Sequence, residues 1–408
     1  MFTTHSSARI AVAAVAASAL LGLASCGDDE PDICTIILDA DRTGSSPKHV
    51  IVVEDTTATV TADRQSMPEA LKDDLEQVSK DDGSVSVIAV DGEGVAPNLL
   101  AKRLPLSTDG ERDRPSVERH AKRMPACVST RYLDRTAPTA PGTDLGRAMA
   151  TAAEMTDAST IVWMLTDFVW TSGDGALTAD LLSTSPQEAA QASAQARPID
   201  LAGAELNVVG VANTSTPLDP LHREWLRDYA RELCVAWGAT GCDSIELDPA
   251  KTEPASVDLP EDVVPPFPET EVLCTDEGRE FEVPSALLFA GDSAVLRDAA
   301  AEALAEPIAL LRAHPSATAE IVGHTASSTR YTAQELTDLS EARAKAVSQA
   351  LQAAGIDASR LAAKGVGDTQ PKAEDLDDNG MQNEFAAAER RVDVIVTGVE
   401  EPCSTTVG

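Results

Sequence analysis

The chain has 408 residues, a formal net charge of −35 and only 3% aromatic residues. That length accommodates two ordinary domains with tails. The acidic balance excludes a surface built to bind nucleic acid or anionic lipid through charge, and is sufficiently explained as a solubility surface outside the membrane.

Met1–Ile10 carries His5 and Arg9, and Ile10–Leu23 is almost unbroken Ala, Val, Leu and Ile. That run is too short for an ordinary membrane span and fits the apolar region of a secretory signal. It ends in Leu23-Ala24-Ser25-Cys26, followed by the polar stretch GDDEPD. The four residues resemble a bacterial lipobox. The resemblance implies that Cys26 receives a diacylglycerol and becomes the mature N-terminus. The alternative is an ordinary signal peptide cut near Ala24. Two acyl chains anchor stably where one does not, which predicts a lipid-anchored protein on the extracytoplasmic face of the cell membrane. No other stretch is apolar enough to span a bilayer.

Of seven cysteines, setting aside Cys26 leaves Cys34, Cys127, Cys234, Cys242, Cys274 and Cys403. An even number outside the cytoplasm favours disulfides. None has CxxC spacing, which argues against structural zinc. Cys274 and Cys403 flank the C-terminal unit and are expected to pair. The pairing of the other four is open.

The expected organisation is a signal peptide at 1–26, a polar leader at 27–47, a first domain at 48–244, a linker at 245–272, a second domain at 273–398 and a tail at 399–408. In the first domain, His49–Val53 is a buried-strand run that ends in Asp55-Thr56-Thr57-Ala58-Thr59. A helix is expected over Met67–Ser79 and a strand over Ser84–Val90. Pro141-Gly142-Thr143-Asp144-Leu145-Gly146 opens a helix to about Met155, with Thr143 a candidate cap. Thr160–Leu165 is another buried strand, ending in Thr166-Asp167, and Leu206–Ala212 a further one. Leu221–Trp237 patterns as an amphipathic helix. Strands alternating with helices predict a doubly wound, mainly parallel sheet. Stretches at Pro97–Pro141 and Ser172–Ala204 read as insertions. The second, rich in Ala, Ser and Gln, is expected to be a surface loop.

Three loops therefore bring oxygen ligands to one sheet edge, the edge where open α/β sheets bind ligands. They carry Asp55, Thr57 and Thr59, then Thr143, then Asp167. Hydroxyls and carboxylates suit a hard ion such as Mg²⁺. The pattern resembles the von Willebrand factor A-type domain and its metal-ion-dependent adhesion site, with Thr in place of both usual serines. The resemblance implies that the hydroxyls bind metal directly, that the aspartates often act through water, and that an open position accepts a carboxylate from a protein partner. The alternative is a degenerate site whose polar residues only cap helices and turns.

Ile245–Glu271 holds Pro249, Pro254, Pro260, Pro265, Pro266 and Pro268 among acids. It reads as a semi-rigid linker that could span roughly 80 Å as polyproline II.

In the second domain, strands are expected within Phe281–Phe289 with a turn at Pro284. A helix at Val295–His314 is interrupted by Pro307. Strands follow at Thr318–Val322, Leu361–Gly365 and Arg391–Thr397, and a helix at Thr337–Ala354 is closed by Gly355 in a left-handed cap. On that helix Leu339, Val347 and Leu351 form an apolar stripe, and Arg343 sits in it. A guanidinium there wants an anion, from this protein or from a ligand. GHT at Gly323–Thr325, LSEARA at Leu339–Ala344 and ERRVDV at Glu389–Val394 together resemble the OmpA-like peptidoglycan-binding domain. That family has an α/β sandwich fold. The resemblance implies that Arg343 grips a carboxylate of the stem peptide, with Thr325, Ala326 and Arg391 at the site. It departs from the family pattern in one place that matters: Ala326 stands where an ammonium-binding Asp is usual. Leu336 replaces an Asn, and Asp338 or Glu389 is a candidate substitute for the missing acid. Arg391 also has a simpler role open to it, a structural salt bridge.

No GxSxG, HExxH or phosphate-cradling glycine loop appears, so no catalysis is expected. Taken together, the expectation is an anchored envelope lipoprotein that binds peptidoglycan and, through a Mg²⁺-dependent A-type domain, an envelope protein. The alternatives are a scaffold for a wall-remodelling enzyme and a structural spacer with degenerate sites.

Overall fold

His49–Glu54 is buried along its whole length, and only a strand covered on both faces needs such a run. The computed structural model, which describes residues 34, 47–60, 67–106, 114–133, 137–245, 259–275, 278–291, 293–383 and 385–399, makes this run the central strand. β1 (His49–Glu54) lies between β2 (Ser84–Ala89) and β4 (Thr160–Leu165), parallel to both. β5 (Glu205–Val209) continues the parallel set beyond β4. β3 (Asn98–Pro105) closes the other edge antiparallel to β2. The order is β3-β2-β1-β4-β5.

Alternate β1 side chains serve two cores. Ile51 and Val53 join a cluster with Leu145, Met149, Trp225 and Tyr229 from the helices Leu145–Ala153 and Pro220–Ala236. Val50 and Val52 join a cluster on the other face with Leu71 and Leu75 from Glu69–Lys80 and Met124 and Val128 from Met124–Arg131. The sheet is mixed: β1, β2, β4 and β5 run parallel, as expected, and β3 is antiparallel, with helices packed on both faces.

The two apparent insertions are structural. The first contains β3 and Cys127, which is bonded to Cys34. The second is not a surface loop. Its helix Pro186–Ala196 starts on a Ser185/Glu188 capping box, buries Ala189 and Ala190 completely, and receives a 2.9 Å hydrogen bond from Tyr229 Oη on Ser193 Oγ. Small side chains let two helices approach closely, which is why so weakly hydrophobic a segment packs. Cys234 and Cys242 form the second disulfide.

The second unit is a sheet in the order β6-β7-β10-β8-β9, built from β6 (Glu271–Thr275), β7 (Gly278–Pro284), β8 (Thr318–His324), β9 (Leu361–Gly367) and β10 (Arg391–Thr397). Only β8 and β9 are parallel, and the helix Ala333–Ala353 joins them. Gly355 closes this helix at φ +91°, as expected. The interrupted helix breaks at Leu304, with Pro307 in the first turn of Ala305–Ala313, where a missing N–H costs nothing. β6 was not foreseen. Cys274 on it is disulfide-bonded.

The linker is not a free spacer where it is described. Val264 and Phe267 pack on the first unit's core, and Phe267 stacks on His222 at 4.4 Å. The units also touch directly: Arg297 Nη2 donates to Asp228 Oδ2 at 3.1 Å, and Leu221 packs on the second core. Among the described residues no helix is long and apolar enough to cross a membrane. Cys26 with its lipobox, the leader apart from Cys34 and Pro47, Cys403 and the end of the tail lie outside the described residues.

Candidate functional site

β1 and β4 end side by side, and their exits carry the first candidate site. Asp55, Thr57, Thr59, Thr143 and Asp167 are all buried. Thr57 Oγ1 donates to Asp55 Oδ1 at 2.7 Å and lies 3.3 Å from Thr59 Oγ1 and 2.5 Å from Thr143 Oγ1. Thr166 Oγ1 donates to Asp55 Oδ2 at 2.8 Å. Asp167 Oδ1 accepts from Val169 N at 2.8 Å. The three loops therefore converge.

Thr143 is not the helix cap. Asp144 performs that task, accepting from Arg147 N at 2.9 Å, which leaves the Thr143 hydroxyl turned to the cluster.

Burial pushes the Asp55 carboxyl up, against the hydrogen bonds from Thr57 and Thr166. Burial and then the neighbouring Asp55 charge push Asp167 up further. Among the described residues these two acids accept hydrogen bonds from hydroxyls and backbone N–H groups and form no ion pair. Asp167 Oδ2 is buried and has no hydrogen-bond partner among the described residues. An orphaned carboxylate oxygen beside three threonine hydroxyls fits a hard divalent cation.

A residue that sequence reasoning treated as linker completes this cluster. Asp262 accepts from Thr143 Oγ1 at 2.5 Å on Oδ2 and from Thr171 Oγ1 on Oδ1. Nothing in its neighbours distinguishes Asp262 from the other linker acids, so no local signal could have found it.

The second candidate site lies beside Arg343, on the helix Ala333–Ala353 that packs against β8 and β9. Arg343 is 4% exposed. Its Nε donates to Ser293 O at 3.0 Å and its Nη2 to Gly291 O at 3.3 Å, and the guanidinium stands 5.2 Å from the Phe289 ring centroid. A cavity of about 500 Å³ opens next to it, lined among others by Thr325, Ala326, Leu336, Leu339 and Arg390. Val347 lies in the core behind it. Thr325 Oγ1 is buried there without a hydrogen-bond partner among the described residues.

Arg391 is not brought to this cavity. It pairs with Glu389 Oε2 and Asp393 Oδ1, each at 3.1 Å, while His324 Nε2 meets Asp393 Oδ2 at 2.8 Å. This is the structural salt bridge that β10 alternation allows: Arg391 and Asp393 share one face. Its neighbour Arg390 lines the cavity instead. Glu389 does not replace the missing acid either, since it accepts from Lys372 N and Ala373 N. Asp338 accepts from Gln334 Nε2 at 2.8 Å on the exposed face of the helix.

Residues 288–384 match the model of the OmpA family. None of the curated proteins matches the chain. Among solved structures, the cell wall anchor of the T6SS from Pseudomonas aeruginosa is 28% identical, over 32% of this chain and 89% of that one, with a TM-score of 0.28. The peptidoglycan-associated lipoprotein from Burkholderia pseudomallei is 27% identical, over 27% and 87%, with a TM-score of 0.23. A MotB-like protein from Desulfovibrio vulgaris is 24% identical, over 33% and 83%, with a TM-score of 0.28. The chain thus carries an OmpA-like domain as its C-terminal unit.

Proposed function

We propose that this chain is a cell-envelope lipoprotein, anchored by lipid on Cys26 at the outer face of the cell membrane, that binds peptidoglycan through its OmpA-like domain and a protein partner through a metal-dependent A-type domain. The observation that carries the wall-binding half is the cavity beside Arg343. Most of its lining lies in the segment that matches the OmpA family, with Glu188 and Arg390 from outside it; Arg343 stands on its wall, Thr325 Oγ1 has no hydrogen-bond partner among the described residues, and the space is large enough for part of a peptide. Charge-assisted bonds of this kind contribute about 1.5–3 kcal/mol.

The partner-binding half is supported by the sheet order, with β1, β2, β4 and β5 parallel, and by the five oxygen-bearing residues at one strand edge. Asp55, Thr57, Thr59, Thr143 and Asp167 would hold Mg²⁺, directly or through water. A bound Mg²⁺ supplies a Lewis-acidic position for a carboxylate. The hydroxyls orient the site, and the burial of the two aspartates keeps bulk water from it. Lipid and wall contacts on one chain would reinforce each other through effective concentration. Nothing in this reading involves nucleic acid.

Titration of the whole chain with a soluble stem peptide containing diaminopimelate, followed by NMR, tests the wall-binding half. Amide shifts should cluster at Thr325, Ala326, Leu336 and Arg343. Shifts confined to other surfaces would refute it.

A further inference from the structure

The segment between the two domains includes, where it is described, Leu259-Pro260-Glu261-Asp262-Val263-Val264-Pro265-Pro266-Phe267-Pro268. It is strapped to the first unit at three points. Gly142, in a turn at φ +83°, donates its N–H to Glu261 O at 3.0 Å. Asp262 takes the Thr143 and Thr171 hydroxyls, one on each carboxylate oxygen. Phe267 lies on His222 and meets the edge of Trp225 at 6.0 Å. Four prolines hold this strap extended and lower the entropy it loses on docking.

We propose that Asp262 fills the carboxylate position of the Asp55/Thr57/Thr59/Thr143/Asp167 site. The site is then a receptor for an aspartate on an extended, proline-flanked acidic segment, and a partner with such a segment binds by displacing residues 259–268. The inference rests on the metal-dependent reading of that site and adds to it the class of its ligand.

Two features favour a ligand role over a simple docking bond. Asp262 brings a third carboxyl to the side of two buried ones, and a cation held by the threonine hydroxyls would offset the repulsion among them. In addition, the Asp262 carboxylate meets the same Thr143 hydroxyl that contacts Thr57, so it enters the cluster at the side formed by the strand-edge loops. An intramolecular occupant acts at an effective concentration on the order of millimolar. A partner in solution therefore binds the intact chain weakly and the opened chain well.

Mn²⁺ serves as the probe, since oxygen sites that take Mg²⁺ also take Mn²⁺. Water-proton relaxation of the whole chain with Mn²⁺ counts the exchangeable waters on the ion. Asp262→Ala should add the increment of one water. It should also let a labelled peptide of residues 259–268 bind in trans at least tenfold tighter than wild type does, with release by EDTA. Thr171→Val, which removes one donor to Asp262, should move both readouts in the same direction and serves if the first variant fails to fold.

Mn²⁺ bound equally by wild type and variant, with the same relaxivity and no peptide binding, would overturn the ligand assignment alone. Mn²⁺ bound only after Asp262 is removed would likewise overturn it, leaving the metal site standing. Absence of Mn²⁺ binding in every form would overturn the metal reading itself and this inference with it.

Discussion

Thr143 and Asp144 are adjacent in sequence and have divided two tasks between them. Asp144 caps the helix Leu145–Ala153, and Thr143 Oγ1 joins Thr57 and Asp262 in the cluster. If the cluster binds Mg²⁺, the ion at 100 times its Kd stabilises the whole chain by about 2.7 kcal/mol. Thr143→Ala should abolish that gain in a thermal melt while leaving the helix content intact. An equal Mg²⁺ shift in the variant would show that Thr143 is no ligand. A second single-residue effect concerns pH. Burial, with help from the Arg103 charge, holds the His49 imidazole down to about 4, while its Nε2 stays 2.9 Å from Ser86 Oγ. The unfolded chain protonates this group below about 6.5 and the native chain does not. Its contribution is therefore intact above pH 6.5 and is lost as pH falls towards 4, by up to about 3 kcal/mol. Urea unfolding at pH 7 and pH 4.5 should show the loss in wild type and a smaller one in His49→Gln.

At the scale of elements, the GHT and LSEARA segments make sense as two sides of one contact. A Cβ on Gly323 would lie 2.1 Å from Ser340 O, and one on Gly365 would lie 2.1 Å from Glu341 N. The helix that carries Arg343 rests on the backbone of β8 and β9, which fixes where the guanidinium emerges. Gly323→Ala should destabilise the protein by at least about 1–3 kcal/mol, read by denaturant unfolding; an unchanged midpoint would mean that the contact is loose. Patterns dominated by one strong signal were legible in the sequence. β4 and β10 fall at their expected residues, and the Arg343 stripe is helical. The helix Pro186–Ala196 was not legible, because Ala, Ser and Gln carry almost no hydrophobic periodicity even when small size is what lets them pack. β6 was not legible because Glu271, Val272, Leu273 and Cys274 are exposed and show no apolar alternation. Its strand state comes from pairing with β7.

Across the whole molecule, the convergence of Asp55, Thr57, Thr59, Thr143 and Asp167 was legible, because each stands just after a buried strand or before a helix and the sheet order brings those ends together. Asp262 was not, since a tertiary contact made by a linker leaves no local pattern. Arg391 was legible only in part: a structural salt bridge was open to it in the sequence, but neither its partners Glu389 and Asp393 nor its place away from the Arg343 cavity could be read there. One long-range covalent link holds the first unit. Cys34 and Cys127 are 93 residues apart in sequence, and loss of a native disulfide typically costs about 2–5 kcal/mol. Cys127→Ala should lower the unfolding midpoint by that order in non-reducing buffer, and a variant that unfolds at the wild-type midpoint would show that the link is dispensable.

If Arg343 anchors this chain to the wall, co-sedimentation of the whole chain with purified sacculi will depend on it. Arg343→Ala should weaken retention by at least about tenfold. Ala326→Asp, which restores the acid usual at that position, should strengthen retention on diaminopimelate-type wall more than on lysine-type wall. Wild-type retention in Arg343→Ala would contradict the account.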